Sequence, residues 1–126
     1  PKAQFVVIAC ALTEETKFLF GQRRLELMAP GSYLVNVARG EVIDQDALLS
    51  VLESGNLGGA GIDVTYPEPL PDGHPLWELE NLIITPHTAD TMEIVTGLFA
   101  NRLRENVSAW LNQAELVGVV SKELGY

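Results

Sequence analysis

Four short apolar runs, separated by segments of helical period, organise the chain. Phe5-Val6-Val7-Ile8-Ala9-Cys10 is continuous, β-rich and apolar. That is the pattern of a strand buried on both faces in a parallel sheet. Thr13-Glu14-Glu15-Thr16 is polar and opens a helical connection. Leu19, Phe20, Arg23, Arg24, Leu27 and Met28 follow at helix-like spacing until Pro30-Gly31 stops it. Tyr33-Leu34-Val35-Asn36-Val37-Ala38 predicts a second buried strand, ended by Arg39-Gly40. Asp44 is placed to cap the next helix, whose apolar face is Ala47, Leu48, Val51 and Leu52 and whose close is Ser54-Gly55-Asn56. Gly59-Ala60-Gly61-Ile62-Asp63-Val64 is a third strand, lined with small residues that let something approach closely. A proline-rich loop carrying Pro67, Pro69, Pro71 and Pro75 reads as a rigid surface excursion. Leu82-Ile83-Ile84-Thr85 is a fourth strand, ended by Pro86-His87. A long amphipathic helix begins at Asp90, which has capping-box spacing to Glu93. Its stripe is Ile94, Val95, Leu98, Phe99, Leu103, Val107, Trp110 and Leu111.

This alternation of strand and helix predicts an α/β fold: an open, doubly wound parallel sheet with helices on both faces, three layers in all. Gly58-Gly59-Ala60-Gly61 is glycine-rich, but it precedes a strand rather than linking a strand to a helix. It therefore fails the context test for a phosphate-binding turn. The chain starts at Pro1 and enters an apolar strand almost at once, which predicts a fragment of a longer domain.

The formal net charge is −9, from 8 Lys and Arg against 17 Asp and Glu. A nucleic-acid partner needs clustered positive charge, so none is expected. The longest apolar run, Phe5 to Leu12, falls short of the roughly 20 residues that span a bilayer, so no membrane partner is expected either. The single cysteine, Cys10, cannot form an internal disulfide and fits a reducing compartment, which predicts a cytoplasmic protein.

In open α/β sheets, ligands bind beyond the carboxyl ends of the strands. Arg39 follows the second strand, Asp63 the third and His87 the fourth, while Glu68 is one short loop past Asp63. Each is ordinary alone: Arg39 as a turn residue, Asp63 as a local cap, Glu68 as a solvated loop residue, His87 as a structural histidine. Their convergence on one rim carries the argument. Cys10 ends the first strand on that rim as a small packing residue. His74 lies in a Pro-Gly loop and is assigned no role, and no metal site is assigned.

The segments Val35-Asn36-Val37-Ala38-Arg39-Gly40, Gly61-Ile62-Asp63-Val64 leading to Pro67-Glu68-Pro69, and Ile84-Thr85-Pro86-His87 resemble, in order, the signature segments of the D-isomer-specific 2-hydroxyacid dehydrogenases. Asp44-Gln45-Asp46-Ala47-Leu48-Leu49 and His74-Pro75-Leu76-Trp77 are similar to that family too. The resemblance implies that residues 1–112 are the C-terminal portion of a Rossmann-like NAD(P)-binding domain. It implies that residues 113–126 dock on a substrate domain. Arg39 would hold the substrate carboxylate and polarise the adjacent carbonyl. His87 would exchange the proton. Glu68 would orient His87 and favour its protonated form. Cys10, Val37, Ala38, Arg39, Asp63, His87 and Ala89 would line the NAD or NADP cofactor.

Two segments depart from the family pattern. Ala9-Cys10-Ala11-Leu12-Thr13 stands where His-x-Pro-Leu-Thr is frequent, and Thr88-Ala89-Asp90 follows the histidine where a Gly-Gly or Gly-Ala pair is common. The implied activity is hydride transfer between NAD(P)H and a 2-oxoacid such as glyoxylate, hydroxypyruvate or a phosphoglycerate-type substrate, in a homodimer. The alternative is a non-catalytic, corepressor-like module of the same fold that binds NAD and a protein partner. Residues 1–126 alone are expected to be inactive, since the glycine-rich pyrophosphate cradle is not among them.

Overall fold

The computed structural model describes residues 2–125. The chain divides into two compact units, Pro1–Ala89 and Asp90–Tyr126. In the first, β1 (Phe5–Ile8), β2 (Ser32–Asn36), β3 (Leu57–Ile62) and β4 (Leu82–Ile84) form one sheet in the order β1-β2-β3-β4. Every neighbouring pair is parallel. Helix α1 (Gln22–Glu26) connects β1 to β2, and α2 (Gln45–Glu53) connects β2 to β3. The proline-rich loop, with a 3-10 turn at Pro75–Glu78, leads from β3 to β4. This is the parallel, Rossmann-like α/β sheet that the alternation predicts.

The core lies between the sheet and its helices. Ile8, Leu34, Ala60 and Ile62 from the strands meet Leu25, Ala47, Leu48, Val51 and Leu52 from α1 and α2. The four α2 residues expected to face inward are all buried, and Asp44 caps the helix by accepting from Ala47 N at 3.2 Å. The opposite sheet face corrects the expectation of strands buried on both sides. Phe5, Val7, Tyr33 and Ile83 remain 64, 61, 45 and 69 % exposed.

The first helical connection is also shorter than predicted. Phe18 N donates to Glu41 O and Phe20 N to Val42 O, while Phe20 pairs with Ile43 in a parallel bridge. Phe18 has φ +50°. Backbone taken up by this long-range pairing has no N–H groups left for a helix, so α1 starts only after Gly21. In the second unit, α3 spans Met92–Leu111 and is capped by Thr91, not by Asp90. Thr91 is extended, and its hydroxyl accepts from Ile94 N. The tail runs back so that Val117 exchanges two hydrogen bonds with Asn106.

Two close contacts shape the sheet end that carries the polar residues. A Cβ on Gly40 would collide with the Thr65 carbonyl and approach Tyr66 N at 2.7 Å, so only glycine lets the turn after β2 nest against the loop after β3. Asp63, 6 % exposed, closes the corner between β3 and β4. Its Oδ1 accepts from the Thr85 hydroxyl and from Thr88 N, and its Oδ2 accepts from Ala89 N at 2.8 Å. Burial pushes this carboxyl up. The bonds from Thr85, Thr88 and Ala89, with the charge of His87, outweigh burial and hold it below the usual carboxylate value.

Two stability predictions follow from these contacts. In the full-length protein, Gly40→Ala should cost about 1–3 kcal/mol through overpacking. Gly61→Ala, whose Cβ meets nothing within 4 Å, should stay within about 0.5 kcal/mol. Denaturant midpoints compare them. Asp63→Asn should cost about 1–3 kcal/mol at pH 7, because it turns an acceptor into a donor facing an N–H. A depressed folded-state value means that the carboxylate's contribution is complete above the unfolded Asp value of about 3.9 and fades as pH falls through the folded one. The gap between wild type and Asp63→Asn should therefore narrow in acid. A gap that is constant with pH would show that the charge contributes nothing.

Candidate active site

The register brings three predicted residues to one edge. Asn36 pairs with Ile62, and Ile62 with Ile84. Arg39, Asp63 and His87 lie one to three residues beyond these aligned positions, at the carboxyl ends of β2, β3 and β4. Arg39 is held by its turn. Asn36, 1 % exposed, donates its Nδ2 to Arg39 O and accepts from Ala38 N, each at 3.0 Å. Arg39 itself is extended and exposed, and its Nη1 donates to Ala38 O at 2.6 Å. It makes no ion pair among the described residues. The rest of its guanidinium fork is left for a carboxylate.

His87 has φ +55°, a left-handed conformation that histidine tolerates better than most residues. Its N–H is held by Asp63 O at 2.9 Å and by Thr85 O at 3.0 Å. Its Nδ1 meets Glu68 Oε1 at 2.6 Å, with the two side chains 39 and 41 % exposed. Because Nδ1 is engaged, Nε2 is the nitrogen that remains for a ligand. Glu68 Oε2 accepts a longer bond from Thr65 N, at 3.4 Å. This is an oriented imidazole with a carboxylate behind it, a geometry for moving one proton at one place.

Two hollows flank the corner. One, of about 390 Å³, has Glu68, His87 and Asp63 on one wall and Leu70, Trp77 and Ile84 among its apolar lining. The other, of about 290 Å³, lies over the strand ends and is lined by Val35, Val37, Gly61, Thr85, Thr88 and Ala89, with Asp63 between the two. Val37, Asp63 and Ala89, three of the predicted cofactor residues, thus share one small-residue hollow. A Cβ added at Gly61 would meet nothing within 4 Å, so the floor of this hollow is open there. Cys10 is exposed beyond β1, and Ala38 is buried with its carbonyl taken by Arg39. Neither lines that hollow, and Arg39 lines neither cavity. Sequence reasoning missed Asn36, Thr85, Leu70 and Trp77 as parts of the site. The available signal was Asn36, a polar residue at a core position of an apolar strand.

Residues 1–89 match the family model of the D-isomer specific 2-hydroxyacid dehydrogenase NAD binding domain. The human glyoxylate reductase/hydroxypyruvate reductase is 41 % identical over 106 residues, which cover 81 % of this chain and 32 % of that protein. A glycerate dehydrogenase of Methylorubrum extorquens is 38 % identical over 87 % of this chain and 36 % of its own length. The crystal structure of a D-isomer specific 2-hydroxyacid dehydrogenase from Xanthobacter autotrophicus, in complex with NADPH and MES, superposes with a TM-score of 0.88 at 35 % identity. That match covers 98 % of this chain and 50 % of that one. The match therefore spans 32 to 50 % of the length of these proteins. It belongs to the D-isomer specific 2-hydroxyacid dehydrogenase family, in the NAD-binding domain.

Proposed function

We propose that this chain carries the proton-transfer and carboxylate-binding groups of an NAD(P)-dependent 2-hydroxyacid dehydrogenase. Its substrates would be small 2-oxoacids and 2-hydroxyacids of the glyoxylate, hydroxypyruvate or phosphoglycerate type. The observation that carries this reading is the 2.6 Å pair of His87 Nδ1 and Glu68 Oε1, at the same carboxyl edge of the sheet where Arg39 follows β2. The family membership and the reductase names of its relatives support it.

Arg39 grips the substrate carboxylate and, next to it, draws electron density toward the carbonyl oxygen. His87 holds a proton on Nε2 and delivers it to that oxygen during reduction, then takes it from the hydroxyl in the reverse direction. Glu68 fixes the ring through Nδ1, so that Nε2 faces the substrate, and places a negative charge beside the imidazolium. Val37, Asp63 and Ala89, with Cys10, Ala38, Arg39 and His87 on the same rim, are the residues that would hold the nicotinamide end of the cofactor. When bound, NAD(P)H supplies the hydride. The tail from 113 to 126 docks on the substrate domain, and the enzyme is a cytoplasmic homodimer without nucleic-acid or membrane partners. The net charge is −9, and no helix among the described residues is long and apolar enough to cross a membrane.

The full-length protein should oxidise NADH or NADPH with glyoxylate or hydroxypyruvate. His87→Gln should lower kcat by about 10²- to 10⁴-fold while cofactor affinity holds. Tight NAD binding without turnover of any 2-oxoacid would overturn the reading in favour of a binding module. Arg39→Lys keeps the charge and loses the fork. It should raise KM for the 2-oxoacid by about ten- to a hundredfold, the equivalent of one charged hydrogen bond. Steady-state kinetics with varied oxoacid at saturating cofactor would show it, and an unchanged KM would remove Arg39 from the carboxylate site.

A further inference from the structure

Glu68 does its work from a loop. Between β3 and the 3-10 turn at Pro75–Glu78, no strand partners the segment that carries it. Pro67 and Pro69 stiffen the backbone locally, but they do not tie the loop to the rest of the fold, and the half-exposed Glu68 must stay within hydrogen-bond reach of His87. Its own contact to Thr65 N, at 3.4 Å, is too long to fix it.

The missing partner is supplied by Gln45, the first residue of α2 and 21 positions before Tyr66. Gln45 Nε2 donates to Tyr66 O at 2.6 Å, and Gln45 Oε1 accepts from Tyr66 N at 2.7 Å. One primary amide thus satisfies both backbone groups of the residue two places before Glu68, as a neighbouring strand would. The base of this clamp is firm. Asp44 caps α2, and Ala47 and Leu48 just behind it are buried at 5 and 0 % exposure. Gly40 lets the same stretch, Thr65–Tyr66, nest against the turn that bears Arg39. The Thr65 hydroxyl, donating to Pro67 O at 3.0 Å, stiffens the next step toward Glu68. The chemistry needs an amide: a carboxylate only accepts, and one of its oxygens would face the Tyr66 carbonyl.

We propose that Gln45 is a positioning residue for the catalytic pair, holding Glu68 against His87 by clamping the backbone of Tyr66 to the start of α2. This rests on the reading of Glu68 and His87 as the proton-transfer pair. The test uses the full-length enzyme and the variants Gln45→Ala, Gln45→Glu, Glu68→Gln and the double variant Gln45→Ala/Glu68→Gln. The two Gln45 variants should each lower kcat for 2-oxoacid reduction about tenfold, with KM for NADH unchanged. In the Glu68→Gln background, Gln45→Ala should add no further loss, because both act through one contact. Hydrogen exchange at the Tyr66 amide should accelerate at least about tenfold in Gln45→Ala, since the N–H loses its acceptor.

Losses that multiply in the double variant would show that Gln45 acts elsewhere, and would overturn the proposal. So would an unchanged kcat in Gln45→Ala with Glu68→Gln impaired, which leaves the pair intact as a reading and removes only the clamp. A fully active Glu68→Gln would instead sink the reading of the pair, and the catalytic role of Gln45 with it. The Tyr66 exchange rate would still report whether the clamp exists.

Discussion

The carboxylate of Asp63 reinforces the β3–β4 connection past the last register pair of the two strands. The two strands share only three register pairs, ending at Ile62 and Ile84. Past that point the side chain of Asp63 joins the backbone, accepting from Thr85, Thr88 and Ala89, while its main-chain oxygen takes the N–H of His87. A charge at 6 % exposure is costly unless its lone pairs are used, and here they are. The consequence is mechanical as much as electrostatic. A chain held to Asp63 at four of five consecutive residues must turn sharply, and His87 absorbs that turn as a left-handed residue. The backbone position of the imidazole is thereby set by the sheet end, and its ring by Glu68.

Around this corner the remaining groups are placed by omission and by amides. Gly40 omits a side chain, so the turn of Arg39 and the loop of Glu68 come into backbone contact. Asn36 and Gln45 each turn one amide on nearby backbone, and each frees a charged residue from settling its own position. The charged groups can then stay half open to solvent, where a substrate can reach them. Arg39 and Glu68 would otherwise gain most by collapsing on local partners. Two neutral amides, Asn36 buried and Gln45 partly buried, join the buried Asp63 carboxylate in carrying geometry, and the exposed ions Arg39 and Glu68 are left for chemistry.

Much of this was legible in sequence where the signal is local. The apolar face and Asp44 cap of α2 were readable because both repeat within a few residues, and Arg39, Asp63 and His87 stood out as polar residues at strand ends. What escaped was set at long range. The early helix failed because Phe18 and Phe20 spend their N–H groups on residues 41 and 42, which no helical period reveals. The α3 cap fell on Thr91 rather than Asp90, a one-residue ambiguity between two good capping side chains. The apolar run of β1 told how hydrophobic the strand is, not which face is covered in this chain. Gln45 stands out in the sequence only as part of a family-like segment, because its partner lies 21 residues on.

The open sheet face also explains why a hollow forms where it does. Along β2 its outward residues shrink from Tyr33 to Val35 and Val37 toward the carboxyl end. Tyr33 stacks on Phe5 at 5.3 Å and lies over Gly59, where an added Cβ would meet its ring at 3.2 Å. Gly61, two residues on, has nothing above it within 4 Å. The two glycines therefore do opposite things: Gly59 makes room for an aromatic ring of the protein itself, and Gly61 leaves room for something else. Bulk at the amino end and vacancy at the carboxyl end tilt the apolar surface toward the rim where Asp63 and Ala89 stand. Gly61 and Val37 thus floor the hollow beside the buried carboxylate of Asp63.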